Sequence, residues 1–196
     1  MSSNQNITTN FKDSNGVDLG SKLIRKDYLL SVYPSIGEQI GIPPELWVWG
    51  AGSLLGNADT TNISTPVTTF AGGTNWKQIS AGIIHTAAIK TDGTLWTWGS
   101  GSSGRLGNAS TQDTSTPITT FAGGSSWKQV SSGYRNTAAI KTDGTLWTWG
   151  RGDFGQLGNA NTTNRSTPVT TFSGGTNWKQ VSCGNVHTAA IRSVDF

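Results

Sequence analysis

The chain of 196 residues has one cysteine, Cys183, one methionine and two histidines, His85 and His187, and only 13% of it is charged. A lone cysteine excludes a disulfide within the chain. Two histidines and one cysteine supply too few nitrogen and sulfur donors for a four-ligand transition-metal site. Residues 1–20 are polar, so no secretory leader is read there, and no apolar run is long enough to span a bilayer. Charge of one sign is also scarce. The net charge is +3, and from Leu46 onward ten Lys/Arg face six Asp/Glu. That small excess is spread along the chain, which excludes a concentrated phosphate-binding patch.

What is plentiful is glycine, at 26 residues, and tryptophan, at nine. With abundant Thr and Ser this composition suits short strands joined by tight turns. The chain also repeats itself. Trp-Lys-Gln recurs at Trp76, Trp127 and Trp178, a spacing of 51 residues, and Thr-Pro recurs at Pro66, Pro117 and Pro168. Leu-Gly-Asn closes at Asn57, Asn108 and Asn159. A period of this size marks an array of units too small to bury a core singly.

Each repeat holds four strand-like runs. In the second repeat these are Pro117–Phe121, Trp127–Ser131, Thr137–Thr142 and Leu146–Trp149. Proline marks the first as an edge strand, and Asp143-Gly144 reads as a two-residue hairpin between the last two. Leu146–Trp149 alternates, with both tryptophans on one face. Four short antiparallel strands per unit is the pattern of a propeller blade. All nine tryptophans lie in the array, and Trp76, Trp98, Trp127, Trp149 and Trp178 are the expected blade core.

Three landmarks carry a family resemblance. Trp149-Gly150 followed by Gly155-Gln156-Leu157-Gly158, the segment Val181–Gly184 with His187–Ile191, and Thr142–Thr145 together resemble regulator of chromosome condensation (RCC1) repeats. The resemblance covers residues 46–196 and implies an all-β fold: a partial propeller of three four-stranded blades, with repeats at about 46–94, 95–145 and 146–196. Residues 1–45 read as a separate, mostly irregular arm or anchor. Within it Leu23, Ile24, Tyr28, Leu29 and Val32 fall at helical spacing, so one short helix is expected over Lys22–Val32. Asp13–Asp18 reads as a plain turn. Full members of the family resemble a ring of about seven blades. The nucleotide-exchange activity of the founding member needs that ring and is not carried over.

The ends of the array suggest how it is completed. Leu46-Trp47-Val48-Trp49-Gly50 reads as a return strand with no blade before it, and the third blade lacks its last strand. Closing three blades in one chain would demand about 120° from each, beyond the four to eight blades usual for such rings. Association is therefore expected to involve Leu46, Trp47, Val48, Trp49 and Gly50 with His187, Ala189 and Ile191, in a six-blade pair of chains. A different protein cap, or an open arc in a larger assembly, are the alternatives.

No residues form a catalytic constellation. His85 and His187 share a slot that holds Asn136 in the middle repeat, so a side chain bonded to a turn backbone is expected rather than a base or ligand. Asp92 and Asp143 sit in turns. Trp and Lys adjoin at Trp76-Lys77, Trp127-Lys128 and Trp178-Lys179, but period-two placement puts them on opposite faces, which argues against base stacking. Arg151-Gly152-Asp153 aligns with Ser100-Gly101-Ser102 and reads as loop variation. Arg105, Arg151, Asp153 and Phe154 are the candidate binding-loop residues. The expectation is a non-enzymatic structural or interaction protein with no cofactor and no metal. Its expected partners are other protein subunits, itself included, rather than nucleic acid or membrane. The near-identity of the repeats and the polar N-terminal segment resemble RCC1-like proteins of bacteria and bacteriophages. A virion component is therefore expected, in tail, fibre or decoration, with the cytoplasm as the other location. A soluble module binding a protein or glycan through its loops is the alternative.

Overall fold

Period-two runs of Trp, Thr, Val and Ile form strands throughout, as β-branched and aromatic side chains favour. The computed structural model of the chain describes residues 6–12, 18–25, 44–71 and 75–193. They belong to two units, residues 1–43 and 44–196.

The first unit holds an antiparallel hairpin of β1 (Asn6–Lys12) and β2 (Asp18–Arg25). This corrects the expected helix at its start. Lys22–Arg25 lies in β2, with Thr8 opposite Leu23 and Ile7 opposite Ile24. A cross-strand partner rich in β-branched residues outweighs a weak helical period. The rest of that expectation, 26–32, and the 13–17 turn lie outside the described residues.

The second unit contains β3 (Trp47–Gly50), β4 (Ile63–Thr68), β5 (Trp76–Ala81), β6 (His85–Lys90), β7 (Leu95–Gly99) and β8 (Thr114–Thr119). It continues with β9 (Trp127–Ser132), β10 (Asn136–Lys141), β11 (Leu146–Gly150), β12 (Arg165–Thr170), β13 (Trp178–Cys183) and β14 (Thr188–Arg192). They form two antiparallel sheets of four, β5-β6-β7-β8 and β9-β10-β11-β12, and two sheets of two, β3-β4 and β13-β14. The fold is all-β, a partial propeller with three blades' worth of strands.

The strand phase differs from the expected one. The Thr-Pro run does not open a blade; it closes the preceding one, because Trp147 pairs with Thr170 and Trp96 with Thr119. Each Thr-Pro strand is thus an outer edge, the position where proline's missing N–H costs no ladder bond. Two strands are therefore set apart at each end of the array, not one and three.

The Asp-Gly hairpins form, but with a longer loop than two residues. Gly144 N–H bonds to Lys141 O, and Gly144 sits at φ +80°. This is a turn followed by a left-handed glycine bulge. Asp143 Oδ1 accepts from Thr145 N–H and from its hydroxyl, at 2.9 and 2.7 Å, and those bonds hold the carboxyl below the usual carboxylate range. The tip packs on the next blade: a Cβ on Gly144 would meet Thr176 O at 1.8 Å. From the same tip, Gly144 O accepts Trp178 N–H, as Gly93 O accepts Trp127 N–H.

Each complete blade is built on a tryptophan triad. Trp76 meets Trp96 and Trp98 edge-on at 6.5 and 6.2 Å, and Trp127 meets Trp147 and Trp149 at 6.3 and 6.1 Å. Such pairs add about 0.5–1.5 kcal/mol each beyond burial. Trp76, Trp98, Trp127 and Trp149 are buried, while Trp178 is only half-buried. The difference follows from pairing: among the described residues no strand flanks β14 on its second edge, so no return-strand tryptophan packs on Trp178.

Candidate interaction surfaces

Neighbouring blades lock together through side chains at matched positions. Gln78 donates to Val130 O at 3.1 Å and accepts from Val130 N–H at 3.0 Å. Gln129 repeats this with Val181, at 3.4 and 3.1 Å. Ser80 Oγ accepts Ser132 N–H, and Ser131 Oγ accepts Cys183 N–H. These side chains satisfy backbone groups that strand pairing leaves free.

The histidine slot belongs to the same lock. His85 Nε2 lies 2.8 Å from Thr137 Oγ1 on the next blade, and Asn136 Nδ2 donates to Thr188 Oγ1 at 3.0 Å. The partner is a threonine of the following blade, not the turn backbone expected from the sequence. Thr137 Oγ1 donates in turn to Arg105 O. A hydroxyl has one proton, so His85 Nε2 carries the hydrogen. Burial pushes the His85 pKa down to about 3, helped by the positive charge of Arg105. A neutral, enclosed imidazole bonded to its neighbour is a structural pin. Cys183 is likewise pushed up to about 11 by burial, so its thiol is no nucleophile near neutrality.

The loop after each return strand anchors the following blade through one carbonyl. Leu54 O accepts Trp98 Nε1 and Thr86 Oγ1; Arg105 O accepts Trp149 Nε1 and Thr137 Oγ1. Arg105 is therefore a corrected assignment. It is 1% exposed, so it anchors a blade instead of presenting a binding loop. Arg151 and Asp153 do lie on the surface, but they pair with each other in two bonds of 2.5 and 2.6 Å. Arg151 also stacks over Phe154 at 5.1 Å, and Phe154 is exposed. The two charges of the Arg-Gly-Asp tripeptide thus satisfy one another.

Three apolar surfaces stand out among the described residues. The first is a rim of phenylalanines, Phe70, Phe121 and Phe172, all exposed. Each donates its backbone N–H to the glycine of the preceding Leu-Gly pair, Gly56, Gly107 and Gly158. Sequence reasoning passed over this rim. Its signal was there: Thr-Thr-Phe recurs every 51 residues at a place where a turn needs no aromatic. The second is the leading half-sheet. Trp47 and Trp49 are 51% and 61% exposed, and Ile79 on β5 is 45% exposed. The third is the trailing half-sheet, where Ile191 is 60% exposed and Ala189 and His187 are exposed. The matching Ala87, Ile89, Ala138 and Ile140 are buried completely. Leu46 and Val48 face inward and are buried, and Gly50 ends β3 exposed at φ +117°. No group of three or more His, Cys, Asp or Glu is placed to hold a metal among the described residues.

Comparison with known proteins agrees with this architecture. The family model described as "Regulator of chromosome condensation (RCC1) repeat" matches residues 92–140 and 143–191, and a second model of that description matches 76–105 and 127–156. The chain is 35% identical over 157 residues to the ultraviolet-B receptor UVR8 of Arabidopsis thaliana, covering 78% of this chain and 36% of that protein. It is 36% identical over 135 residues to the human E3 ubiquitin-protein ligase HERC2, covering 63% of this chain and 3% of that one. It thus spans about a third or less of these relatives. Among solved structures, human WBSCR16 superposes with a TM-score of 0.65 at 22% identity, over 76% of this chain and 40% of that one. Prp20p from Saccharomyces cerevisiae, described with its binding properties to Gsp1p and histones, gives 0.62 at 17% identity, over 76% and 40%. At these identities the two structures speak for the fold.

Proposed function

Because the chain belongs to the regulator of chromosome condensation (RCC1) repeat family, we propose that it is a non-enzymatic protein-interaction module, a rigid platform of propeller blades within a larger assembly. One observation carries the reading. The groups that would do chemistry are committed to holding blades together, while large apolar side chains recur at the surface. His85, Thr137, Asn136 and Thr188 bond across blade boundaries, and Phe70, Phe121 and Phe172 stand exposed. Repeated exposed aromatics on a stiff frame are the anatomy of a protein-docking surface. The binding of Gsp1p and histones by the yeast relative supports a protein as the class of partner. The proposed setting is a many-subunit particle of the virion type, for which the near-identical repeats and the separate polar N-terminal unit are the support.

The test is a photo-reactive phenylalanine analogue placed at Phe121 or Phe172 in the protein in its native source, with Lys77 as the control position. Covalent adducts to another protein from the rim, and not from Lys77, are expected. Adducts confined to Lys77, or none at any position, would remove the reading.

A second reading is a soluble module that recognises a protein or glycan through its loops. It is favoured by Phe154, an exposed ring backed by the Arg151–Asp153 pair, since such a platform suits stacking against a sugar or an apolar side chain.

A further inference from the structure

The two half-sheets of this chain are the two halves of one blade. A complete blade reads Trp-Lys-Gln strand, Ala-Ala-Ile strand, Leu-Trp-x-Trp strand, Thr-Pro strand, as in β9-β10-β11-β12. The trailing half-sheet β13-β14 supplies the first two, and the leading half-sheet β3-β4 supplies the last two. They are not paired with each other within the chain: β3 bonds only to β4, and β14 only to β13, among the described residues. We propose that two copies of this chain close a six-bladed ring, each copy's β3-β4 completing the sheet that the other's β13-β14 begins. This rests on the reading of the chain as an interaction module and names one of its partners as itself.

The complete blades fix the register. Ile140 faces Leu146, Ala139 faces Trp147, Ala138 faces Thr148, Thr137 faces Trp149 and Asn136 faces Gly150; β6 and β7 repeat that set. Carried to the junction, Ile191 faces Leu46 of the partner subunit, Ala190 the partner's Trp47, Ala189 the partner's Val48, Thr188 the partner's Trp49 and His187 the partner's Gly50. This buries the alanines and isoleucine that only β14 leaves exposed.

Three further features fit that register. The first is an unfilled space. A Cβ on Gly56 would lie 2.9 Å from the Trp98 ring, and one on Gly107 2.6 Å from Trp149. At the matching Gly158 the nearest atom is Thr171 Cγ2, 3.9 Å away, and a cavity of about 330 Å³ opens beside it, bounded by Gln156, Gly158, Trp178 and Thr188. The partner's Trp49 belongs there, its Nε1 donating to Gln156 O as Trp98 and Trp149 donate to Leu54 O and Arg105 O. Gln156 O already accepts Thr188 Oγ1, the second bond of that anchor.

The second feature is the glutamine lock. Gln78 and Gln129 clasp Val130 and Val181 of the next blade, whereas Gln180 is exposed at the trailing end and Ile79 at the leading end. Gln180 with the partner's Ile79, and Ser182 Oγ with the partner's Ala81 N–H, complete the series. The third is charge. Arg192 stands at the strand end where Lys90 bonds to Thr94 O, and the residue matching Thr94 at the leading end is Glu45, so a cation meets the partner's anion there.

The copy number follows from the geometry of closure. The three blades' worth of strands described here give six from two copies of this 196-residue chain and nine from three, and only six falls within the four to eight blades that such rings commonly hold. Both junctions are then identical under a two-fold axis.

Light scattering on the 196-residue chain is expected to give twice its 20.7 kDa at micromolar concentration. Trp49→Ala and Ile191→Lys, each at a position exposed in the single chain, are expected to weaken association by about thirty-fold or more, as for a buried anchor residue, without altering the circular dichroism of the monomer. The register is read by cysteine pairing in a Cys183→Ser background, since Ser132 and Ala81 fill that slot elsewhere. Val48→Cys on one chain is expected to link to Ala189→Cys on another through a short bis-maleimide, and several-fold more slowly to Ala190→Cys, which points to the other face. A monomer at tens of micromolar would overturn the proposal. So would a dimer untouched by both variants, or a link that forms inside a single chain. A monomer that still gives rim adducts at Phe121 overturns ring closure and leaves the interaction module standing; a dimer whose rim captures no other protein does the reverse.

Discussion

His85 Nε2 stands 2.8 Å from Thr137 Oγ1, across the boundary between two blades and 52 residues along the chain. One blade later the same bond is made by Asn136 to Thr188. The slot therefore requires a donor of suitable reach, not an imidazole.

His85→Ala is expected to cost about 2–4 kcal/mol, from the space left and the lost bond in an enclosed site. His85→Asn is expected to cost about 1 kcal/mol or less, because asparagine already serves there in the next repeat. Urea titration of the two variants measures the difference.

Acid should weaken the fold through the same residue. The folded pKa is about 3 against about 6.5 for a free histidine. Between those values the unfolded chain binds a proton that the folded chain refuses, so stability falls as pH drops through that window. The slope contributed is up to about 1.4 kcal/mol per pH unit. Protonation would also place a hydrogen on Nδ1, which has no partner among the described residues. Denaturation midpoints between pH 6.5 and 4.5 are expected to fall for the natural chain and to flatten for His85→Asn.

Leu54 O is a shared acceptor, taking Trp98 Nε1 at 2.8 Å and Thr86 Oγ1 at 3.2 Å. Trp98→Phe or Thr86→Val alone leaves that carbonyl one donor, and each is expected to cost about 1 kcal/mol. Together they leave it none in a half-buried site. The double variant is expected to exceed the sum by about 1 kcal/mol, read from a double-mutant cycle in urea.

Gly144 and Gly124 separate two reasons for glycine. Both have positive φ, +80° and +77°, but a Cβ at Gly144 meets Thr176 O at 1.8 Å while one at Gly124 meets nothing within 4 Å. Gly124→Ala is expected to cost about 1 kcal/mol, the left-handed penalty alone. Gly144→Ala is expected to cost at least about 2 kcal/mol more, since a blade must shift. Thermal melts of the two variants compare them directly.

Legibility varied with range. The repeat, the places of the Asp-Gly turns and four of the five expected core tryptophans could be read directly, because each depends on neighbours within a few residues or on the recurrence of a residue type. Arg105 could not. A glycine-rich loop with an arginine looks like a surface loop until the next blade folds over it and takes its carbonyl. Lys22–Arg25 went the other way, since its helical period was real but the pairing with Ile7 and Thr8 lies outside any local pattern. The phenylalanine rim was legible in principle and missed because aromatics are first assigned to the core.

The amino-acid order by itself settled that this is an all-β array of three near-identical units, since period, turn residues and alternation are local properties of the chain. Tertiary structure alone decided where one blade stops and the next starts. The Thr-Pro strand could add to either neighbour, and only hydrogen bonding to the return strand behind it assigns it. That choice divides the ends of the array into two complementary halves, because a backbone ladder is completed by whichever edge lies beside it, and sequence does not record adjacency.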